Sequence, residues 1–106
     1  MTKVLIDAGV CGFKSDVEAV SEDGQEVKIT VECDCPAVTA MFEELGDTFN
    51  AFDLVFTKPG TNLFYEYAAD NFPPHGGCVT IAGITKAAEA ACMLALPTDA
   101  SVVFEG

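Results

Sequence analysis

Glu26-Val27-Lys28-Ile29-Thr30-Val31-Glu32-Cys33, followed at once by Asp34-Cys35-Pro36, is the stretch from which the rest of the chain can be laid out. Val27, Ile29, Val31 and Cys33 alternate with Lys28, Thr30 and Glu32. This is the period of a strand with one face on a core and the other in water. Its apolar face is expected to pack on helices and its polar face to stay wet. At Pro36 the period changes. Proline at the first helical position gives up no hydrogen bond and presets φ. Val38, Met41, Phe42 and Leu45 then recur at helical spacing, and Gly46 suits the residue that closes a helix. Cys35 is therefore expected at a helix N-terminus, where free amides and the helix dipole favour a thiolate.

Upstream, Lys3 to Ala8 reads as a strand with Val4, Ile6 and Ala8 on one face, ending at Gly9-Val10-Cys11-Gly12. Lys14 to Val20 reads as a second strand with Val17 and Ala19 inward, and Glu22-Asp23-Gly24 supplies the hairpin turn into the strand quoted above. Downstream, Phe52, Leu54 and Phe56 alternate and suggest a short strand within Asp47 to Thr57, with irregular chain as the alternative. Lys58-Pro59-Gly60 is a turn. Asn62 is placed to cap a helix from Leu63 to Asn71, with Phe64, Tyr67, Ala68 and Phe72 as its apolar stripe. Phe72-Pro73-Pro74-His75-Gly76-Gly77-Cys78 is too rich in Pro and Gly for helix or strand. An Ala-rich helix is expected from Ile81 to Leu96, with Ile84, Ala88, Ala91 and Ala95 inward and Pro97 ending it. Ser101 to Glu105 is read as a last short strand. These expectations add up to one α+β domain over residues 1–106. Its sheet is small, mainly antiparallel and three- to four-stranded, with about three helices packed on one face.

The chain holds 106 residues, half of them apolar, enough to bury one small core. Its formal net charge is −12, with only five Lys plus Arg against 17 Asp plus Glu. Such a charge repels phosphate backbones and anionic membrane surfaces, so neither nucleic acid nor membrane is an expected partner. The acids are spread along the chain, which reads as solubility more than as a docking block for a basic partner. No apolar run approaches the ~20 residues of a membrane span. The first residues, Met-Thr-Lys-Val-Leu-Ile-Asp, carry no export pattern, so a cytoplasmic location is expected.

Five cysteines are many for this length, and the number is odd. Without an export signal, metal binding or thiol chemistry is a better reading than a disulfide framework. Cys11, Cys35, His75 and Cys78 all fall in loops or at element ends, where side chains can converge. Three thiolates and one imidazole suit tetrahedral zinc or an iron–sulfur cluster. No paired Cys-x-x-Cys knuckle is present, so a zinc ribbon or RING is not supported. Cys33, on the apolar side of its strand, reads mainly as a core residue, with a second possibility as a resolving thiol for Cys35. Cys92, inside an apolar helix, reads as core.

The order of these features resembles the IscU/NifU-N family of iron–sulfur cluster scaffolds. Cys11-Gly12 after the first strand is similar to that family's first cysteine motif. Cys35 before a helix is similar to its second cysteine, and His75 and Cys78 after Pro73-Pro74 to its histidine and third cysteine. Lys86-Ala87-Ala88 falls in a helix similar to the family's last one. The resemblance spans about Gly9 to Cys92. It implies a cluster held by Cys11, Cys35, His75 and Cys78 and a protein partner in sulfur or metal transfer. The chain departs from the pattern at Phe13, where the family has Asp. It also places two glycines between His75 and Cys78, lacks the Val-Lys after the prolines, and adds the terminal strand. The chain also resembles a family of small uncharacterised microbial proteins, which implies no activity.

Three functions follow as expectations. The first is a non-catalytic metal or cluster site at Cys11, Cys35, His75 and Cys78. The second is a thiol redox or sulfur-carrier protein using Cys35 with Cys33 or Cys78. The third is an interaction module stapled by zinc. No acid–base pair, nucleophile triad or phosphate loop stands out.

Overall fold

Strands β1 (Thr2–Asp7), β2 (Lys14–Val20) and β3 (Glu26–Cys33) form a meander, and α1 (Pro36–Leu45) leads into a short β4 (Thr48–Asn50). Helices α2 (Ala51–Val55), α3 (Leu63–Asn71) and α4 (Thr80–Ala91) follow. The computed structural model describes residues 1–106. The sheet is antiparallel throughout, in the order β1-β2-β3-β4. The α+β class and the helices on one face are as the sequence implies.

Register fixes which side chains meet. Val4 lies opposite Val17, and Val17 opposite Val31; Ile6, Ser15 and Cys33 form the next row. Ile6, Val17, Ala19, Val27 and Ile29 are buried on this face. They join one core of 16 buried residues that includes Val38 and Met41 of α1, Ala51 and Leu54 of α2, Phe64 of α3, and Ile81, Ile84, Ala87 and Ala88 of α4. Phe42, Phe49 and Phe64 pack ring against ring, with centroids 5.1 to 6.1 Å apart. The opposite sheet face is wet, as the alternation requires. There Lys3 lies directly across from Glu18, with Nζ 3.7 Å from the carboxylate.

Local chemistry explains the ends of the elements. Cys35 is the N-cap of α1, Pro36 follows it, and Gly46 closes the helix at φ 86° with its N–H donating to the Phe42 carbonyl. Asn62 caps α3 by accepting from the N–H groups of Phe64 and Tyr65.

Three expectations are corrected. Phe52, Leu54 and Phe56 lie in and just after a helix, not in a strand. The Asn50 side chain accepts from the Phe52 N–H at 2.9 Å and starts α2, which buries Ala51 and Leu54 and leaves Phe52 and Phe56 stacked outside. Helix α4 ends at Ala91, not Leu96. Met93 turns into the left-handed region at φ 59°, and the Leu94 N–H folds back to the Glu89 carbonyl, which leaves Ala95 exposed beyond the helix. The Ser101–Glu105 strand does not form. A strand exists only against a partner, and this segment lies against neither edge of the sheet.

Candidate functional site

The β1–β2 loop is shaped by two tight features. The Gly9 N–H donates to Asp7 Oδ1 at 3.0 Å, and the Gly12 N–H donates to the Gly9 carbonyl at 2.9 Å. Gly9 and Gly12 both take positive φ, 83° and 76°, a conformation that a side chain would strain. Cys11 sits inside this turn and is exposed. The α3–α4 loop contains a second turn, in which the Cys78 N–H donates to the His75 carbonyl at 3.3 Å across Gly76-Gly77. His75 and Cys78 are therefore the first and fourth residues of one turn, within about 7 Å at their Cα atoms. His75 is exposed and Cys78 half-buried.

The sheet brings these turns toward β3's end. Asp7 at the end of β1 pairs with Lys14 at the start of β2, and Ser15 pairs with Cys33 at the end of β3. The Cys11 turn and the Cys33-Asp34-Cys35 segment therefore share one end of the sheet. Helix α4 begins there too. A methyl group built on Gly83, near its start, would meet the Ile6 side chain at 2.6 Å. At its far end the Cys92 carbonyl lies beside Gly24 in the β2–β3 turn. The His75–Cys78 turn, just ahead of α4, consequently opens at the same end as Cys11, Cys33 and Cys35, with Cys92 at the other.

Cys33 is the cysteine whose role the sequence understated. It is half-buried against the core, as alternation implies. Its Sγ also accepts two hydrogen bonds, from the Ser15 hydroxyl at 2.9 Å and the Cys35 N–H at 3.3 Å. Ser15 is buried at 2% exposure in a row otherwise filled by apolar side chains, and this sulfur is the acceptor of its hydroxyl. Ser15 on the inward side of β2 was the available signal. A hydroxyl buried in an apolar row must find an acceptor, and strand pairing leaves Cys33 opposite it.

None of the five cysteines is in a disulfide. Cys92 is buried in the core at 4% exposure, as its apolar helix suggests. The side chains of Cys11, Cys35, His75 and Cys78 share an end of the molecule, yet no three His, Cys, Asp or Glu side chains stand close enough together to hold one metal ion. The donor set matches a soft metal in type. No helix is long and apolar enough to cross a membrane.

A family model matches residues 2–104, nearly the whole chain. The chain belongs to that family, described as a family of unknown function, DUF6951. No curated protein and no solved structure matches it.

Proposed function

We propose that this member of a family of unknown function binds a soft metal, as zinc or an iron–sulfur cluster, through Cys11, Cys35, His75 and Cys78. The observation that supports it is topological. Three segments far apart in sequence deliver their only imidazole and three of the five thiols to one end of the sheet. Both exposed turns are built on glycine, so they can close around an ion without displacing core side chains. A cluster held here would make the chain scaffold-like, serving a protein partner in sulfur or metal transfer.

The test is metal and acid-labile sulfide content of protein purified without air. Iron with sulfide is expected for a cluster, and zinc near one per chain without sulfide for a mononuclear site. Cys35→Ser and Cys78→Ala should each lose the metal. Unchanged metal content in both variants overturns the proposal.

A second reading is favoured by the hydrogen bonds on Cys33. A sulfur that accepts from Ser15 and from Cys35 is held next to Cys35, as a resolving thiol should be. In thiol–disulfide exchange, Cys35 as thiolate would attack a partner's disulfide and release one partner thiolate. Cys33 would then attack the mixed disulfide, freeing the second partner thiol and leaving a Cys33–Cys35 disulfide. Alkylation rates separate the readings. A Cys35 that reacts no faster than free cysteine rules this one out.

A further inference from the structure

The outer edge of β3 is only half covered. Strand β4 pairs with Glu26, Val27 and Lys28, and the Ile29 N–H donates to the Asp47 carbonyl at 2.8 Å. Beyond that point no strand lies beside Thr30 to Cys33. Alternate residues of an antiparallel strand direct their N–H and C=O to the same side, so Val31, two residues after Ile29, faces this open edge. An open groove of about 290 Å³ runs between the edge and α1. Ile29, Val31, Val38 and Phe42 supply its apolar lining. Such an edge is a template for a further strand.

The same chain carries an unpaired strand. Ser101-Val102-Val103-Phe104-Glu105 has β-branched and aromatic residues in succession, yet Val102, Val103 and Phe104 are 79%, 74% and 92% exposed. Nothing after Ala91 belongs to a regular element, and beyond the packed Cys92 and Leu94 the last twelve residues, Ala95 to Gly106, are all exposed. The five residues Ser101 to Glu105 are enough to span the four of β3 left open, Thr30 to Cys33.

We propose that this tail adds as a strand to the β3 edge of a second copy, and that two copies exchange tails reciprocally to form a closed dimer. Val102 and Phe104, on one side of the added strand, would cover the groove between β3 and α1. The tail's own edge is a poor alternative. The chain leaves the body beside Gly24, at the end where β3 begins. From there a tail laid along its own β3 would run parallel to it, past β4 and α2 on the covered half. A tail from a second copy is free to run antiparallel, the arrangement used by every pair in this sheet. Reciprocal exchange uses both tails and covers the open part of β3 in both copies.

Two chains of net charge −12 repel one another. Dimerisation should therefore strengthen as salt rises, the reverse of an association driven by ion pairs. The experiment is sedimentation equilibrium of the full chain across concentration and salt, with hydrogen exchange at the Val31 amide. A dimer is expected, with Val31 exchanging slowly. Phe104→Asp and deletion of residues 97–106 change only exposed chain, so the body stays folded. Each should weaken dimerisation at least roughly tenfold and release the Val31 amide. A peptide of residues 97–106 added to the deleted chain should slow that amide again. A full chain that stays monomeric overturns the proposal, whether Val31 exchanges freely or is protected by its own tail. A ladder of larger assemblies overturns the closed dimer. A dimer that survives both tail changes overturns the role of the tail.

Discussion

The Asn62 side-chain amide donates to Thr85 Oγ1 at 3.0 Å, tying the start of α3 to the middle of α4. The same amide donates to the Leu54 carbonyl at 3.2 Å, while its oxygen accepts the N–H groups of Phe64 and Tyr65. Asn62 is 3% exposed, so water cannot replace these partners. One side chain thus caps α3 and joins it to α2 and α4. Asn62→Ala is expected to cost roughly 2–4 kcal/mol, from a lost cap and unpaired buried groups. Asn62→Asp should not rescue it, because a carboxylate caps the helix but cannot donate to Leu54. Urea unfolding of both variants checks this, and an Asp variant as stable as the parent refutes it.

Gly83 lies inside α4, where Ala would ordinarily stabilise a helix by about 1 kcal/mol. Here the added methyl would fall 2.6 Å from Ile6 Cδ1 and 2.7 Å from Cγ1. Ile6 is itself buried at 6% exposure and has little room to yield. Gly83→Ala should destabilise by about 1–2 kcal/mol net of its helix propensity. The cost should shrink when it is combined with Ile6→Val or Ile6→Ala. A double-mutant cycle by thermal unfolding measures that coupling, and strict additivity contradicts the contact.

Acid should weaken the β2–β3 turn. Asp23 Oδ1 accepts the N–H groups of Gln25 and Glu26, each at 2.9 Å. These bonds, that from Gln25 foremost, hold the Asp23 carboxyl below its ordinary value of 3.8. A carboxyl with a depressed folded-state pKa contributes its stability fully above the unfolded pKa. That contribution is lost as pH falls through the folded value. Asp23→Ala should therefore lower the unfolding midpoint at about pH 7, and the gap to the parent should narrow below about pH 4. A gap that holds constant down to about pH 2 would exclude an ionised Asp23 as its source.

Most of the fold was written in local patterns. The alternation from Val27 to Cys33 set the strand, its wet face and the side on which helices pack. Asn62 and Pro36 marked two helix starts because capping is settled within a few residues. The misreadings share a cause. Phe52, Leu54 and Phe56 alternate in sequence, but Asn50 offers a side-chain acceptor to the Phe52 N–H, and the burial of Ala51 and Leu54 fits a helical turn better. Met93 ends α4 in a conformation that no residue type announces. Ser101–Glu105 has strand composition, but a strand also needs a neighbour, which composition does not supply. For the site, the residue types were legible, as was the place of each on a loop or helix end. Their common end of the sheet rests on register and on α4 packing, which join residues 6 and 83. Of the two donors on Cys33, the Ser15 hydroxyl arises from the same nonlocal pairing, whereas the Cys35 N–H is local, two residues along the chain.

The neighbour-by-neighbour order of the sheet also sets a time course. Strands β1 to β3 meet through short turns, so their pairing closes small loops and costs little chain entropy. Helix α4 must come back across most of the sequence to reach Ile6, a closure that waits for nearly the whole chain. During synthesis the meander is complete while its apolar face is still bare and α4 is not yet made. For that interval the inward residues Val17, Ala19, Val27 and Ile29 are exposed to whatever else is sticky nearby. The wet face, where lysines and carboxylates are interspersed, then becomes the nascent sheet's own safeguard against self-association.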